Sequence, residues 1–313
     1  MNNFKYTLDN KRYHTLNYFY KQKFNEKIFK VSLDAGFTCP NIDGTKGYGG
    51  CIYCSKKGAG EFAGDKEKDL HTQFIEIKEL MHKKWKHAKY IGYFQAHTNT
   101  YAPVDVLKEK YETILKEDNV VGISIATRPD SITDECLTYL EELNKKTFLT
   151  VELGLQTIHE KTSKLINRGC TLKEAENMIY KLKEKNINTV IHIINGLPGE
   201  TKEMMIETTK YLNKLPIDGI KIHMLNIVKD TALEKLYKFK PFHILTEEEY
   251  VDIVINQLET LRDEIVIHRI TADPKIEDLI EPLWLTKKFC VLNEIDKEMK
   301  KRDTYQGIKA DKL

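Results

Sequence analysis

The order of elements predicts an α/β fold, a partial (β/α)6 barrel of parallel strands with a short C-terminal α/β extension. Three observations lead there. Strand-like and helix-like stretches alternate six times with no β-only stretch between them. Strand starts recur about thirty residues apart, which leaves room for a strand and a right-handed crossover helix. Polar or glycine-rich segments follow each strand, so six loops point at the edge where parallel α/β folds bind ligands. A doubly wound open sheet satisfies the first two observations equally well, and periodicity does not separate the two architectures.

The elements follow from their patterns. Ile28–Leu33 reads as a strand. Leu70, Phe74, Ile77, Met81, Trp85 and Ala88 recur at steps of three or four, an amphipathic helix over 69–88. Tyr90–Phe94 is a strand and Val104–Leu115 a helix. The run Val120–Ala126 is wholly apolar, the mark of a buried parallel strand. Ser131 is placed to cap a helix bearing Leu137, Leu140 and Leu143, and Phe148–Leu153 is the next strand. A capping box, Thr171 with Glu174, opens a helix carrying Ala175, Met178, Ile179 and Leu182. Thr189–Ile194 is a strand, Lys202–Leu215 a helix that stops before Pro216, and Gly219–Leu225 the sixth strand. A second capping box, Thr246 with Glu249, starts a helix running to about Leu261. The remainder reads as a strand plus short helices. The expected division is an N-terminal arm over 1–27, the barrel over 28–263 and the extension over 264–313.

Composition narrows the function classes. With 313 residues, 41% hydrophobic and 31% charged, the chain can bury a sizeable core and is too apolar to be disordered. No apolar run approaches the ~18 residues of a membrane helix, and the first thirty residues lack the apolar core of a secretory signal. The expectation is a cytosolic protein. The net charge of +2 is unevenly spread: 1–30 carries +5, 78–89 carries +4 and 297–313 carries +3. Tyr6, Tyr13, Tyr18, Phe19, Tyr20 and Phe24 interleave with the first patch, and Trp85 sits in the second. That pattern suits a partner with phosphates and stackable bases. It also suits a Lys-rich chain with solvated basic faces, since 43 Lys accompany 6 Arg.

Of six cysteines, Cys39, Cys51 and Cys54 cluster in the loop after the first strand, while Cys136, Cys170 and Cys290 are scattered. A reducing compartment and a metal cluster account for this better than three disulfides. Three thiolates suit a soft or borderline metal. A structural zinc site wants four closed ligands, which His71 or His97 could complete. On a four-iron cubane, three cysteines leave one iron open.

The ordered motifs resemble the radical S-adenosylmethionine (SAM) superfamily, in particular its YtqA/YhcC-like branch. That branch is related to the Elongator catalytic subunit and to oxygen-independent coproporphyrinogen oxidase. The residues that carry the resemblance begin with Asp34-Ala35-Gly36-Phe37-Thr38-Cys39-Pro40-Asn41, Asp43-Gly44 and Gly49-Gly50-Cys51-Ile52-Tyr53-Cys54. They continue through Thr127-Arg128-Pro129-Asp130, Glu152-Leu153-Gly154-Leu155-Gln156, Asn167-Arg168-Gly169 and Gly196-Leu197-Pro198-Gly199-Glu200. Trp284 and Asp303-Thr304-Tyr305-Gln306-Gly307 complete a set that spans nearly the whole chain.

The resemblance implies that Cys39, Cys51 and Cys54 ligate a [4Fe-4S] cluster and that SAM chelates the fourth iron. Tyr53 would pack near the adenine. Gln156 and Arg168 would contact the SAM ribose and carboxylate, and Gly196–Gly199 would bring backbone to the adenine. The Gly-Gly-Glu common after strand two is replaced by Phe94-Gln95-Ala96, which leaves backbone or Gln95 for the amino group. A glutamate common after strand three is absent, leaving Thr127 or Arg128. Glu152 is either a cofactor contact or a barrel-interior carboxylate paired with Arg128. His223 reads as a core histidine and Cys170 as a buried thiol.

The implied chemistry is reductive cleavage of SAM to a 5′-deoxyadenosyl radical, with an electron donor such as flavodoxin or ferredoxin. The implied substrate is wobble uridine 34 in a tRNA anticodon loop, whose 5-carboxymethylaminomethyl group would be converted towards 5-aminomethyl. A coproporphyrinogen-oxidase-like reaction on a small molecule is the alternative within the superfamily. A zinc-stabilised RNA-binding protein without catalysis is the alternative outside it. The absence of any Cys before Cys39 argues against a second cluster of the methylthiotransferase kind. The short chain after strand six argues against an appended acetyltransferase domain.

Overall fold

The computed structural model describes residues 4–82 and 88–310. Its centre is a parallel sheet formed by β1 (Ile28–Leu33), β2 (Lys89–Phe94), β3 (Val120–Thr127), β4 (Phe148–Gln156), β5 (Asn188–Asn195) and β6 (Gly219–Met224). A short antiparallel ribbon joins β7 (Ile227–Val228) to β9 (Leu279–Glu281). Between them in sequence, β8 (Val266–Arg269) pairs in parallel with β6, so the extension adds a seventh strand to the main sheet.

The helices are α1 (Leu16–Phe24), α2 (Leu70–His82), α3 (Val104–Leu115), α4 (Asp134–Lys146), α5 (Glu160–Leu165), α6 (Leu172–Glu184), α7 (Lys202–Leu212), α8 (Ala232–Phe239), α9 (Glu247–Thr260) and α10 (Lys288–Lys301). Both capping boxes form, with the Thr171 and Thr246 hydroxyls on the amides of Glu174 and Glu249. Several boundaries differ from expectation: β4 runs three residues further, to Gln156, and two helix ends move. The cap of α4 is Thr133, not Ser131, because Pro129 starts a 3-10 turn that ends at Ser131 and leaves Ile132 extended. Helix α7 ends at Leu212, and its last three expected residues form turns before Pro216. The expected helix beyond His82, with Trp85, lies partly outside the described residues. Among the described residues no helix is long and apolar enough to cross a membrane.

Side-chain contacts decide between barrel and open sheet. Strands sit about 4.8 Å apart, so β2 and β6, four steps removed, would be about 19 Å apart in a flat sheet. Yet Lys221 Nζ on β6 lies 3.0 Å from Tyr93 Oη on β2. Lys30 on β1 likewise reaches Glu152 on β4 at 2.5 Å. The sheet is therefore curled into a half-barrel with a polar interior. Alternate residues point outward and pack under the helices: Val31, Leu33, Phe94, Ile123, Ile125, Val151 and Ile191 are buried there.

The N-terminal segment closes the end of the barrel opposite the cysteine loop. Leu16, Phe19, Tyr20 and Phe24 of α1 pack on Ile28, Val121 and Phe148, residues at or near the starts of β1, β3 and β4. Thr15 bridges to Ile267 along the edge of β8. The Asp303–Gly307 motif ties this segment down: the Gln306 amide nitrogen donates to Arg12 O, and Gln306 Oε1 accepts from the His14 amide. The aromatic rings expected to stack on bases are instead core groups. Tyr13 and Tyr20 are buried, Phe19 and Phe24 pack on Phe148, and Tyr6 stacks on His14 at 4.3 Å. The physical reason is that a barrel end exposes apolar strand starts, which these rings cover. In the third basic patch Lys297, Arg302 and Lys309 pair with Glu294, Asp252 and Glu259.

Phe94, fully buried against the Tyr111 ring at 4.8 Å, anchors the strand end that leads into the site. Replacement by alanine is expected to cost roughly 3–5 kcal/mol, measured by urea unfolding.

Candidate active site

The cysteine loop, between β1 and α2, is held by its own polar groups. Gln73 on α2 exchanges hydrogen bonds with the Asp34 backbone, donating to O at 2.9 Å and accepting from N at 3.0 Å. Gly49 and Gly50 take left-handed φ of 78° and 75°, which lets the chain turn sharply into Cys51. The Cys54 amide closes a turn onto Cys51 O at 3.0 Å.

A second clamp joins this loop to the segment after β4. Asn41 Nδ2 donates to Asn167 O at 2.5 Å, Asn167 Nδ2 donates to Gly50 O at 2.7 Å, and the Ile52 amide donates to Ile166 O at 3.0 Å. Two motifs 110 residues apart are thus one unit, which explains why Asn41 and Asn167-Arg168-Gly169 accompany the cysteines.

Cys39, Cys51 and Cys54 line one chamber of about 180 Å³ together with Tyr53, Gln95, Thr127, Arg128, Glu152, Gln156 and Arg168. A second chamber of about 330 Å³ shares Tyr53, Cys54 and Gln156 and opens outward between Lys56, Lys57, Lys229 and Lys275. Gly196 and Gly199 line neither. With φ of 85° and 83° they shape the turn before α7, where Gly196 is packed by Leu245 and Met224.

The individual roles differ from one another. Gln156 ends β4 at a register shift with φ of 66°, a conformation that a non-glycine residue adopts at a cost and that is concentrated at functional sites. Gln95 Nε2 is committed to Ala59 O at 2.7 Å and so braces the cysteine loop. The Thr127 hydroxyl is committed to Thr100 at 2.6 Å. Arg128 forks onto Asp130 at 3.0 and 2.9 Å and donates to Arg168 O at 2.7 Å. Arg168 in turn grips the Cys170 and Thr157 carbonyls at 2.7 Å and that of Leu155, leaving Nη2 buried without a hydrogen-bond partner. Among the described residues the one carboxylate paired with it, Glu160, is 3.9 Å away.

The surroundings treat Cys51 and Cys54 oppositely: the hydrogen bond with Cys51 and burial push Cys54 well above the usual thiol range. A hydrogen bond with Cys54 and the charge of Arg128 outweigh burial and bring Cys51 down to about 6. Cys136 and Cys170 are pushed up to about 12 by burial, as inert thiols. Of the two histidines that could complete a zinc site, His71 is exposed and bonded to Glu117 at 2.7 Å, away from the cysteines. His97 lines the chamber with the three cysteines.

Glu152 is fully buried and has a different partner from the one expected. Arg128 is engaged by Asp130. Glu152 Oε1 instead accepts from Lys30 at 2.5 Å and Ser124 at 2.6 Å, and Oε2 accepts from His192 at 2.8 Å and from Lys221. Burial alone would raise its pKa, but Lys221 and Lys30 hold it well below the usual carboxylate range. Burial brings Lys221 down to about 7 and His192 to about 4. Lys30, Lys221, His192 and Tyr93 were not among the expected site residues. Their signal was a charged or polar residue at alternate positions of otherwise apolar strands.

Comparison with known proteins now adds to the geometry. Residues 45–212 match the family model described as Radical SAM superfamily, and 217–301 match the Radical_SAM C-terminal domain. The chain belongs to the radical SAM superfamily. It is 51% identical over 306 residues to the Bacillus subtilis protein YtqA, covering 98% of this chain and 95% of that one. The tRNA uridine(34) acetyltransferase of Methanocaldococcus infernus is 27% identical over 137 residues, covering 43% of this chain and 25% of that one. The solved structure of the archaeal Elp3 from Methanocaldococcus infernus has the same fold, with a TM-score of 0.67 at 18% identity, over 89% of this chain and 64% of that one.

Radical SAM proteins are enzymes, and their cofactors are a [4Fe-4S] cluster and SAM. The residues present fit both groups. Three thiols share one chamber, and the buried Arg168 Nη2, lacking a partner there, suits the carboxylate of an amino acid.

Cys54→Ala is expected to abolish iron–sulfur absorbance after anaerobic reconstitution while the far-UV circular dichroism stays that of the wild type. Glu152→Gln is expected to cost roughly 3–5 kcal/mol near pH 7, because it leaves two buried lysines without a counter-charge. The lowered native pKa stabilises the fold above the unfolded carboxyl value of about 4.3 and that contribution is lost as pH falls through the native value. Urea titrations should therefore show the gap between wild type and variant narrowing below about pH 4.

Proposed function

We propose that this radical SAM enzyme modifies wobble uridine 34 of tRNA, converting a 5-carboxymethylaminomethyl group towards 5-aminomethyl. The observation that carries the reading is the two-chambered cavity. The cysteines line its inner part, and its outer part opens beside Lys56 and Lys57, which are exposed and without ion-pair partners among the described residues. A cavity of this kind suits a base swung out of a single-stranded loop, with backbone phosphates left on the lysine rim. The likeness to a tRNA uridine(34) acetyltransferase supports the same substrate.

In this reading Cys39, Cys51 and Cys54 hold the cluster, and Arg168 Nη2 takes the SAM carboxylate. Gln156 lies at the bulge for the ribose, Tyr53 beside the adenine, and the Gly196–Gly199 turn supports the wall behind it. The cluster and SAM, held by these residues, would supply radical chemistry for removing a hydrogen atom from the substrate, with a flavodoxin or ferredoxin as electron donor. The protein holds and orients these groups. Arg128 keeps Arg168 in place through its carbonyl, Gln95 braces the cysteine loop, and the Glu152 cluster keeps the chamber wall rigid. The basic and aromatic residues of the N-terminal segment take no part, because α1 lies at the other end of the barrel.

Deleting the gene is expected to leave uridine 34 stalled at the carboxylated form in nucleoside mass spectrometry of total tRNA. An unchanged nucleoside profile would refute the assignment.

A further inference from the structure

Positive charge exceeds negative charge in the barrel interior. Glu152 is the one carboxylate among the described residues lining the inner chamber, and each of its oxygens already accepts two hydrogen bonds. Its lone pairs are therefore taken, and it serves no further cation. Arg269, the last residue of β8, is exposed to solvent and also lines this chamber, and its side chain makes no hydrogen bond or ion pair with any described residue. His223 lines both chambers, and its Nε2 is buried without a partner. Burial, then the charges of His192, Arg269 and Lys221, keep this imidazole neutral. A solvated guanidinium without a protein partner and a buried ring nitrogen without one line the same cavity, and together they offer an anion two polar groups.

A guanidinium presents two parallel N–H donors that match a carboxylate. The phosphates of a bound RNA belong to its backbone and stay at the lysine rim, whereas a carboxymethyl group on the base side chain would enter with the base. We infer that Arg269, with His223 Nε2–H as a second donor, is the specificity site for the substrate's carboxylate. This rests on the wobble-uridine reading above. It assigns to the last barrel strand the discrimination between a carboxylated side chain and its neutral or decarboxylated counterparts.

The test uses two fluorescent anticodon stem-loop RNAs that differ at one group, 5-carboxymethylaminomethyluridine at position 34 or its carboxamide. Binding is read by anisotropy to the cluster-loaded protein with SAM present. Wild type should favour the carboxylate by about tenfold or more, the scale of a charge-assisted hydrogen bond. Arg269→Gln should abolish that preference and leave carboxamide binding unchanged, and Arg269→Lys should restore part of it. SAM affinity, measured separately, should be the same in all three proteins. Equal binding of both RNAs by wild type would overturn the carboxylate site and leave the RNA reading standing. Failure of wild type to bind either RNA would overturn the RNA reading and the site with it. Loss of SAM affinity in Arg269→Gln would place the guanidinium on the cofactor and also overturn the inference.

Discussion

A single carboxylate sets the shape of the barrel. Glu152 has no exposed surface and accepts from Lys30, Ser124, His192 and Lys221, which stand on β1, β3, β5 and β6. An ionised group so deeply buried is tolerable only with its hydrogen bonds and counter-charges in place, and these partners meet only if the sheet is curled. Curvature and charge pairing are one requirement. The same group rigidifies the wall that faces the cysteines, so a device for closing the sheet also prepares the chamber.

The open edge of that sheet matters as much as its centre. A loop of thirty-six residues follows β1, long enough to wander, and it is fixed by pairings with the chain after β4 through Asn41, Asn167 and the Ile166 carbonyl. Arg128 and Arg168 stand behind this junction and are themselves held by backbone carbonyls and Asp130. Positioning therefore passes from the rigid strand ends to the thiols through short polar links. Arg168 Nη2 and His223 Nε2 are buried at the cavity without protein partners, as expected where a ligand completes the site.

At the other end of the molecule the need is the reverse. Strand starts expose apolar residues, and α1 covers them with aromatic rings while its lysines remain in solvent. Basic and aromatic residues close together in sequence thus face different ways, and a pattern that read as a nucleic-acid arm is a plug. The basic groups near the cavity, Lys56 and Lys57, belong to the cysteine loop instead.

The sequence by itself determined the six strands and the main crossover helices, because strand and helix periodicity, capping boxes and turns are local. It also singled out the three cysteines and, through the resemblance, Gln156 and Arg168, which line one chamber. Tertiary structure alone decided the curl of the sheet, the seventh strand, the partner of Glu152 and the destination of the aromatic arm. Each of these depends on which inward positions of distant strands come together. Lys30 and Lys221 look like isolated interruptions in apolar strands until closure of the barrel brings both to Glu152, and no periodicity along the chain encodes that encounter.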